Sequence, residues 1–93
     1  MKEINIFGDN RYKEFTKIRI ACRGICFSNN KIVLSLLKKY NMYMIPGGGL
    51  EQNETLEECV EREVEEETGY IVKAKDCFLV INEYYEEYKY ISY

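Results

Sequence analysis

Histidine is absent from this 93-residue chain. Its absence removes the usual general base, so serine–histidine and cysteine–histidine hydrolase mechanisms are excluded. The four cysteines, Cys22, Cys26, Cys59 and Cys77, form no paired C-x-x-C clusters, and without histidine a zinc site has little to build on. They read instead as small, reduced core residues, with Cys22 and Cys26 on one face of a strand and Cys59 on the buried side of a helix. No apolar run approaches the roughly 18 residues that cross a bilayer, and the N-terminus lacks the apolar core of a signal peptide. These absences predict a protein outside the membrane, by default cytoplasmic. An excess of positive charge is lacking too, since 13 Lys and Arg face 16 Asp and Glu for a net charge of -3. That balance argues against tracking a nucleic-acid polymer and favours a small ligand. No internal repeat or low-complexity linker divides the chain. With 46% hydrophobic and 31% charged residues, it has the composition of one globular domain spanning 1–93.

Glutamate, by contrast, is abundant between Glu57 and Glu67. Placed on a helix at about 100° per residue with Leu56 at zero, Cys59, Val60 and Val64 fall at about 300°, 40° and 80°, which defines a buried arc. Glu57, Glu58, Glu61 and Glu65 lie between about 100° and 200°, where solvation explains them. Glu63 and Glu67 project at about 340° and 20°, inside the apolar arc, and Glu66 sits on its border at about 280°. Carboxylates crowded near a core repel one another and lose hydration, at a cost of several kcal/mol per ion unless compensated. A divalent cation is the natural compensation, and hard oxygen ligands suit Mg2+ or Mn2+. A helix rolled so that these glutamates meet water is the plainer alternative.

The flanks bound the helix. Thr55 with Glu58 three residues on is a capping-box signature, and Gly69 is placed for a left-handed C-terminal stop, so the spacing predicts a helix over Leu56 to Thr68. Ahead of it, Pro46-Gly47-Gly48-Gly49 is a turn whose glycines let backbone approach a ligand and expose carbonyl and amide groups. The next turn, Glu51-Gln52-Asn53-Glu54, delivers Glu54 to the helix entrance, with Asn53 able to take positive φ. Arg62, at about 240° on the wheel, neighbours Glu66 and can orient a carboxylate.

Taken together, Gly48, Glu54, Arg62, Glu63, Val64, Glu66, Glu67 and Gly69 match the pattern G-x5-E-x7-R-E-U-x-E-E-x-G-U, in which U is a bulky aliphatic residue. The chain therefore resembles the Nudix hydrolase family, the MutT-like proteins, with the box at 48–70. Tyr70 departs from the pattern by placing an aromatic at a packing position. The resemblance implies a metal-dependent hydrolase that cleaves a pyrophosphate bond in a nucleoside diphosphate linked to another group, by attack of water on phosphorus. It implies that Glu63, Glu66 and Glu67, with the backbone carbonyl of Gly48, carry Mg2+ or Mn2+, and that Glu63 or Glu66 acts as base. Glu54 and Arg62 are implied to fix this geometry, a role that a simple loop-to-helix salt bridge also satisfies. It implies a small nucleotide substrate, whose identity is set by residues outside the box.

The remaining segments predict a sheet around the box. A short strand is expected at Ile4 to Phe7, then a turn at Gly8-Asp9-Asn10. Lys17 to Phe27 alternates with period two and, across Ser28-Asn29-Asn30, forms a hairpin with Lys31 to Leu37. Met42 to Ile45 is a further strand, Ile71 to Val80 returns along the sheet, and Glu87 to Tyr93 begins another. The expected fold is α+β, the α/β/α sandwich that the family uses, built on a mixed sheet. Arg19 and Arg23 are candidates for phosphate contact, since guanidinium binds phosphate bidentately; solvated strand positions are the plainer account. Tyr84, Tyr85, Tyr88, Tyr90 and Tyr93 read as aromatic β-formers in preference to a base-stacking platform.

Family domains run longer than this chain, so a C-terminally incomplete domain is expected. Glu83, Glu86 and Glu87 are then candidates to replace a later ligand or base, though no motif assigns them. An unfinished sheet predicts an open edge and a homodimer through it. A nucleotide- or metal-binding regulatory module, or an inactive fragment that keeps the box without turnover, is the alternative to an active enzyme.

Overall fold

Thr55 and Gly69 bound the helix as the sequence predicts. In this computed structural model, which describes residues 1–8, 16–85 and 88–93, α1 spans Leu56–Thr68. The Thr55 hydroxyl accepts the Glu58 N–H at 3.1 Å while the Glu58 carboxylate accepts the Thr55 N–H at 3.3 Å, and Gly69 closes the helix at φ 80°. Both ends are thus satisfied by side chain or left-handed backbone.

The strands in chain order are β1 (Lys2–Phe7), β2 (Lys17–Arg23), β3 (Phe27–Ser28), β4 (Lys31–Ile32), β5 (Ser35–Leu37), β6 (Met42–Met44), β7 (Gly47–Gly49), β8 (Leu79–Tyr85) and β9 (Tyr88–Ser92). Backbone contacts divide the chain into two compact units, one of Met1–Ala21 with Asp76–Tyr93 and one of Cys22–Lys75. Asp9 and Asn10 of the expected first turn, and the candidate carboxylates Glu86 and Glu87, lie outside the described residues.

In the first unit, β1 runs parallel to β8 with Ile4 opposite Ile81, β8 runs antiparallel to β9, and β9 runs parallel to β2 with Lys17 opposite Tyr88. The sheet is mixed, as expected. Val80 and Asn82 are its buried residues on β8, and the buried amide of Asn82 donates to Glu3 Oε1 at 2.6 Å and Asn5 Oδ1 at 3.2 Å. A buried polar group requires such partners. The tyrosines serve as strand formers: Tyr84 stacks on Phe7 at 4.9 Å and Tyr88 on Tyr90 at 5.7 Å. The strand expected at Ile71 to Val80 begins only at Leu79. Its ladder starts where the Lys2 N–H reaches the Phe78 carbonyl at 3.0 Å, so β1 and not local propensity sets the boundary.

In the second unit, β3 and β4 pair through Asn29 and Asn30, at φ 53° and 62°, the left-handed pair that a two-residue hairpin requires. β5 and β6 pair antiparallel with Leu37 opposite Met42. The strand expected over Lys17 to Phe27 stops at Arg23, because Gly24 is pressed against α1. A Cβ there would lie 2.8 Å from Val64 Cγ2 and 2.9 Å from Val60 Cγ2. The Lys31 to Leu37 run likewise divides into β4 and β5. Pro46-Gly47-Gly48-Gly49, expected as a turn, instead runs extended: Gly47–Gly49 is the strand β7 beside β2, whose last residues Cys22 and Arg23 belong to this unit. The missing side chains serve close approach of that strand and not a reversal of the chain. Cys22, Pro46, Cys59 and Val64 are buried together with this packing. Cys22 and Cys59 are core residues as expected, whereas Cys26 is half-buried beyond the end of β2 and Cys77 is exposed. All four are free thiols. Among the described residues α1 is the one α-helix, and no helix is long and apolar enough to cross a membrane.

Candidate active site

Arg62 projects from α1 into a ring of acceptors that the preceding turns supply. Its Nε donates to Glu54 Oε2 at 2.6 Å and its Nη2 to Glu54 Oε1 at 3.0 Å, a two-pronged clasp of a carboxylate that is only 11% exposed. Nη1 donates to Glu63 Oε1 at 2.8 Å and to Glu66 Oε2 at 3.3 Å, while Nη2 also reaches the Gly49 carbonyl at 3.2 Å. Glu51 adds a looser ion pair at 3.6 Å. Glu54 is placed by its own turn: its N–H donates to the Glu51 carbonyl at 3.2 Å, Oε1 accepts the Glu51 N–H at 3.1 Å, and Asn53 takes φ 64°. The loop-to-helix salt bridge expected between Glu54 and Arg62 is therefore present, and its acceptors extend to Glu63 and Glu66.

The Arg62 hydrogen bond holds the Glu54 carboxyl down at about 2, against an ordinary 4.5. Arg62 is raised in turn, first by Glu54 and then by Glu63. A carboxyl whose folded pKa lies below its unfolded value stabilises the fold above the unfolded value and loses that contribution as pH falls through the folded one. Glu54→Gln is accordingly expected to be less stable than the wild type near pH 7. The difference should narrow from about pH 4.5 and close near pH 2, a window set by the two values for Glu54. Urea titrations across this range check it; a deficit that does not change with pH would assign it to lost packing and not to charge.

Glu63, with its side chain 16% exposed, lies directly over Gly48. A Cβ on Gly48 would stand 2.5 Å from the Glu63 Cδ and Oε1, so only glycine lets this carboxylate lie against β7. The Cys59 thiol donates to the Gly48 and Gly49 carbonyls, both at 3.7 Å. Burial pushes that thiol upward from its ordinary value, which keeps it a neutral donor. Glu67 differs from its expected place in the apolar arc: it is exposed, and its Oε2 accepts the Gly47 N–H at 2.7 Å. Cys59 and Val64 alone fill the buried face of α1, so the last turn meets the glycine segment and not the core. Glu66, expected on the border of the arc, has its side chain 58% exposed.

Among the described residues, no three His, Cys, Asp or Glu side chains come together in an arrangement that would hold a metal ion. Arg62 draws Glu63 and Glu66 to one nitrogen, and Glu67 is turned to a backbone amide. The donor set nevertheless fits the implied metal, since Glu63 and Glu67 border the glycine strand β7, Glu66 shares the Arg62 nitrogen with Glu63, and these carboxylates with the Gly48 carbonyl are hard oxygens of the kind Mg2+ and Mn2+ take. Of the two arginine candidates, Arg23 packs against β7, with its Cδ 2.7 Å from where a Gly47 Cβ would stand and Nη1 donating to the Ile45 carbonyl at 3.3 Å. Arg19 lies in the other unit, opposite Tyr90 on β9. Glu83 is exposed there, beside a shallow hollow formed with Ile6, Gly8, Tyr84, Tyr85 and Tyr90. Sequence reasoning did not single out the Gly47 amide, the Gly49 carbonyl or Glu51; the exposed carbonyls and amides of a triple-glycine turn were their only signal.

The family model of the NUDIX domain matches residues 18–92. An ADP-ribose pyrophosphatase of Methanocaldococcus jannaschii is 38% identical over 88 residues, covering 77% of this chain and 52% of that protein. An NAD-capped RNA hydrolase, NudC, of Vibrio atlanticus is 43% identical over 65 residues, covering 67% of this chain and 24% of that protein. The chain thus spans about half the length of the first relative and about a quarter of the second.

Proposed function

The chain belongs to the NUDIX domain family, and from that premise we propose that it is a pyrophosphohydrolase acting on a small nucleoside diphosphate derivative, ADP-ribose foremost. The archaeal relative's named substrate motivates that choice. The observation that carries the reading is the single guanidinium that gathers Glu54, Glu63 and Glu66 while Glu63 rests against Gly48. That arrangement collects box carboxylates at the glycine strand β7.

Glu63, Glu66, Glu67 and the Gly48 carbonyl would hold Mg2+ or Mn2+, which supplies neutralisation of phosphate oxygens and acidification of water. Glu63 or Glu66 takes the proton of the attacking water as its oxygen bonds to phosphorus and the bridging P–O bond breaks, leaving AMP and ribose 5-phosphate from ADP-ribose. Arg62 and Glu54 keep the helix and turn in register, because ligands need oriented partners to stay within bonding distance. Arg23, which packs against Gly47, would supply a guanidinium for a phosphate oxygen.

Incubation with ADP-ribose, a nucleoside triphosphate, a dinucleoside polyphosphate and NAD-capped RNA, each with Mg2+ or EDTA, tests the proposal. AMP is expected from ADP-ribose with Mg2+ and not with EDTA. Metal-dependent thermal stabilisation with no turnover of any substrate would replace the enzyme by the binding-module alternative.

A further inference from the structure

Arg62 and a divalent ion would claim the same oxygens. Nη1 lies 2.8 Å from Glu63 Oε1 and 3.3 Å from Glu66 Oε2, whereas Nε and Nη2 hold both oxygens of Glu54 at 2.6 and 3.0 Å. Two carboxylates three residues apart on a helix repel one another, and Glu63 is largely withdrawn from water. Without a compensating cation this pair would splay or lose hydration at a cost; the guanidinium nitrogen between them removes that conflict.

The geometry points to Arg62 as a built-in stand-in cation: when no metal is bound its Nη1 keeps Glu63 and Glu66 gathered and offsets part of their charge, and metal binding takes those oxygens from Nη1 while the Glu54 clasp retains the guanidinium. The inference rests on the proposed reading that Glu63 and Glu66 are metal ligands. It goes further by making Arg62 a competitor of the metal as well as a positioning residue, touching no reacting atom. The grip is unequal in the way such an exchange needs. Glu66 is 58% exposed and held by one contact at 3.3 Å, an ion pair that water screens. Glu54 is 11% exposed and held bidentately at the shortest distance in the cluster. Of the contacts that must break, the one to Glu66 is weak and the one to Glu63 is a single 2.8 Å bond to a side chain 16% exposed, whereas the contact that must last uses two nitrogens at once.

Two measurements on the full chain decide the matter. In wild-type protein, arginine-selective 1H–15N spectra during titration with Mg2+ should show the Arg62 Nη signals shifting while Nε, facing Glu54, stays in place. Arg62→Lys identifies the resonances. In calorimetric titration with Mn2+, Arg62→Gln should bind about tenfold more tightly than the wild type, because the competitor is gone and coupling between two ligands of one site is reciprocal. A residue that only organises the ligands would give weaker binding on its removal, and that result overturns the proposal. Box amides that shift with Mg2+ while both Arg62 signals stay fixed would overturn it and leave metal binding intact. No response of any resonance to Mg2+ or Mn2+ would overturn both readings together.

Discussion

Glu66→Gln is expected to lower metal-dependent turnover by roughly 10^2- to 10^4-fold, the contribution a positioned proton acceptor makes, while leaving the fold standing. Glutamine has the same length and keeps one oxygen able to accept from Arg62. The side chain is 58% exposed, and its ion pair with Arg62 is a single 3.3 Å contact. Exposed pairs contribute about 0–1 kcal/mol, so the melting temperature should move by no more than about 8 °C. Activity and stability then separate, which distinguishes lost chemistry from lost structure. Glu65→Gln, on the outward arc of α1 and exposed, is the control expected to keep turnover. AMP release from ADP-ribose at saturating Mg2+ is the assay, and a Glu66→Gln variant with wild-type kcat would remove this carboxylate from the reaction. Glu67→Gln should behave in the same way, because its amide oxygen can still accept the Gly47 N–H that Glu67 now holds at 2.7 Å.

Gly47→Ala is expected to have the opposite character, destroying stability before activity can be asked about. A Cβ at this position would collide with the Cys22 carbonyl oxygen and approach the Arg23 Cα to 2.8 Å. Both are backbone atoms of the neighbouring strand, so no rotamer change relieves the clash; β2 and β7 must part. Overpacking typically costs about 1–3 kcal/mol and more where backbone has to move. For a chain of this size roughly 3 kcal/mol lowers the midpoint by about 12–24 °C. Gly48→Ala, one residue on, meets only the end of the Glu63 side chain, at 2.5 Å. It should stay folded, since that carboxylate can swing away, and lose turnover for the same reason. Thermal melts of the two variants side by side check the contrast. A Gly47→Ala protein that melts within a few degrees of the wild type would show that β7 does not lie against β2 as described.

Much of the second unit was legible in the residues themselves. The limits of α1 follow from the Thr55–Glu58 box and Gly69, and the β3–β4 hairpin from Asn29 and Asn30, because each signal acts across four residues or fewer. Strand limits were less legible. Lys17 to Phe27 alternates throughout, yet β2 ends at Arg23, where Gly24 is pressed under Val60 and Val64 from a helix far along the chain. Ile71 to Val80 has strand-forming residues, yet pairing begins at Leu79, beside β1.

The site divides in the same manner. Box spacing named Glu54, Arg62, Glu63, Glu66, Glu67 and Gly48; a helical repeat and the turn at 51–54 bring the first five near one another, while Gly48 lies in the strand β7, which the sequence reads as a turn. Direction was another matter. A helical wheel measures angle around an axis and carries no knowledge of what stands opposite, so it put Glu67 into the apolar arc, where the structure turns it to the Gly47 amide. It likewise assigned the compensating charge to a metal alone, where Arg62 already supplies one. By itself the sequence determined which residues share the helix, its caps and its preceding turn, since those depend on local hydrogen bonds and periodicity. Tertiary structure alone decided which oxygen meets which donor, because that choice depends on how closely β7 approaches α1, a distance that no spacing along the chain encodes.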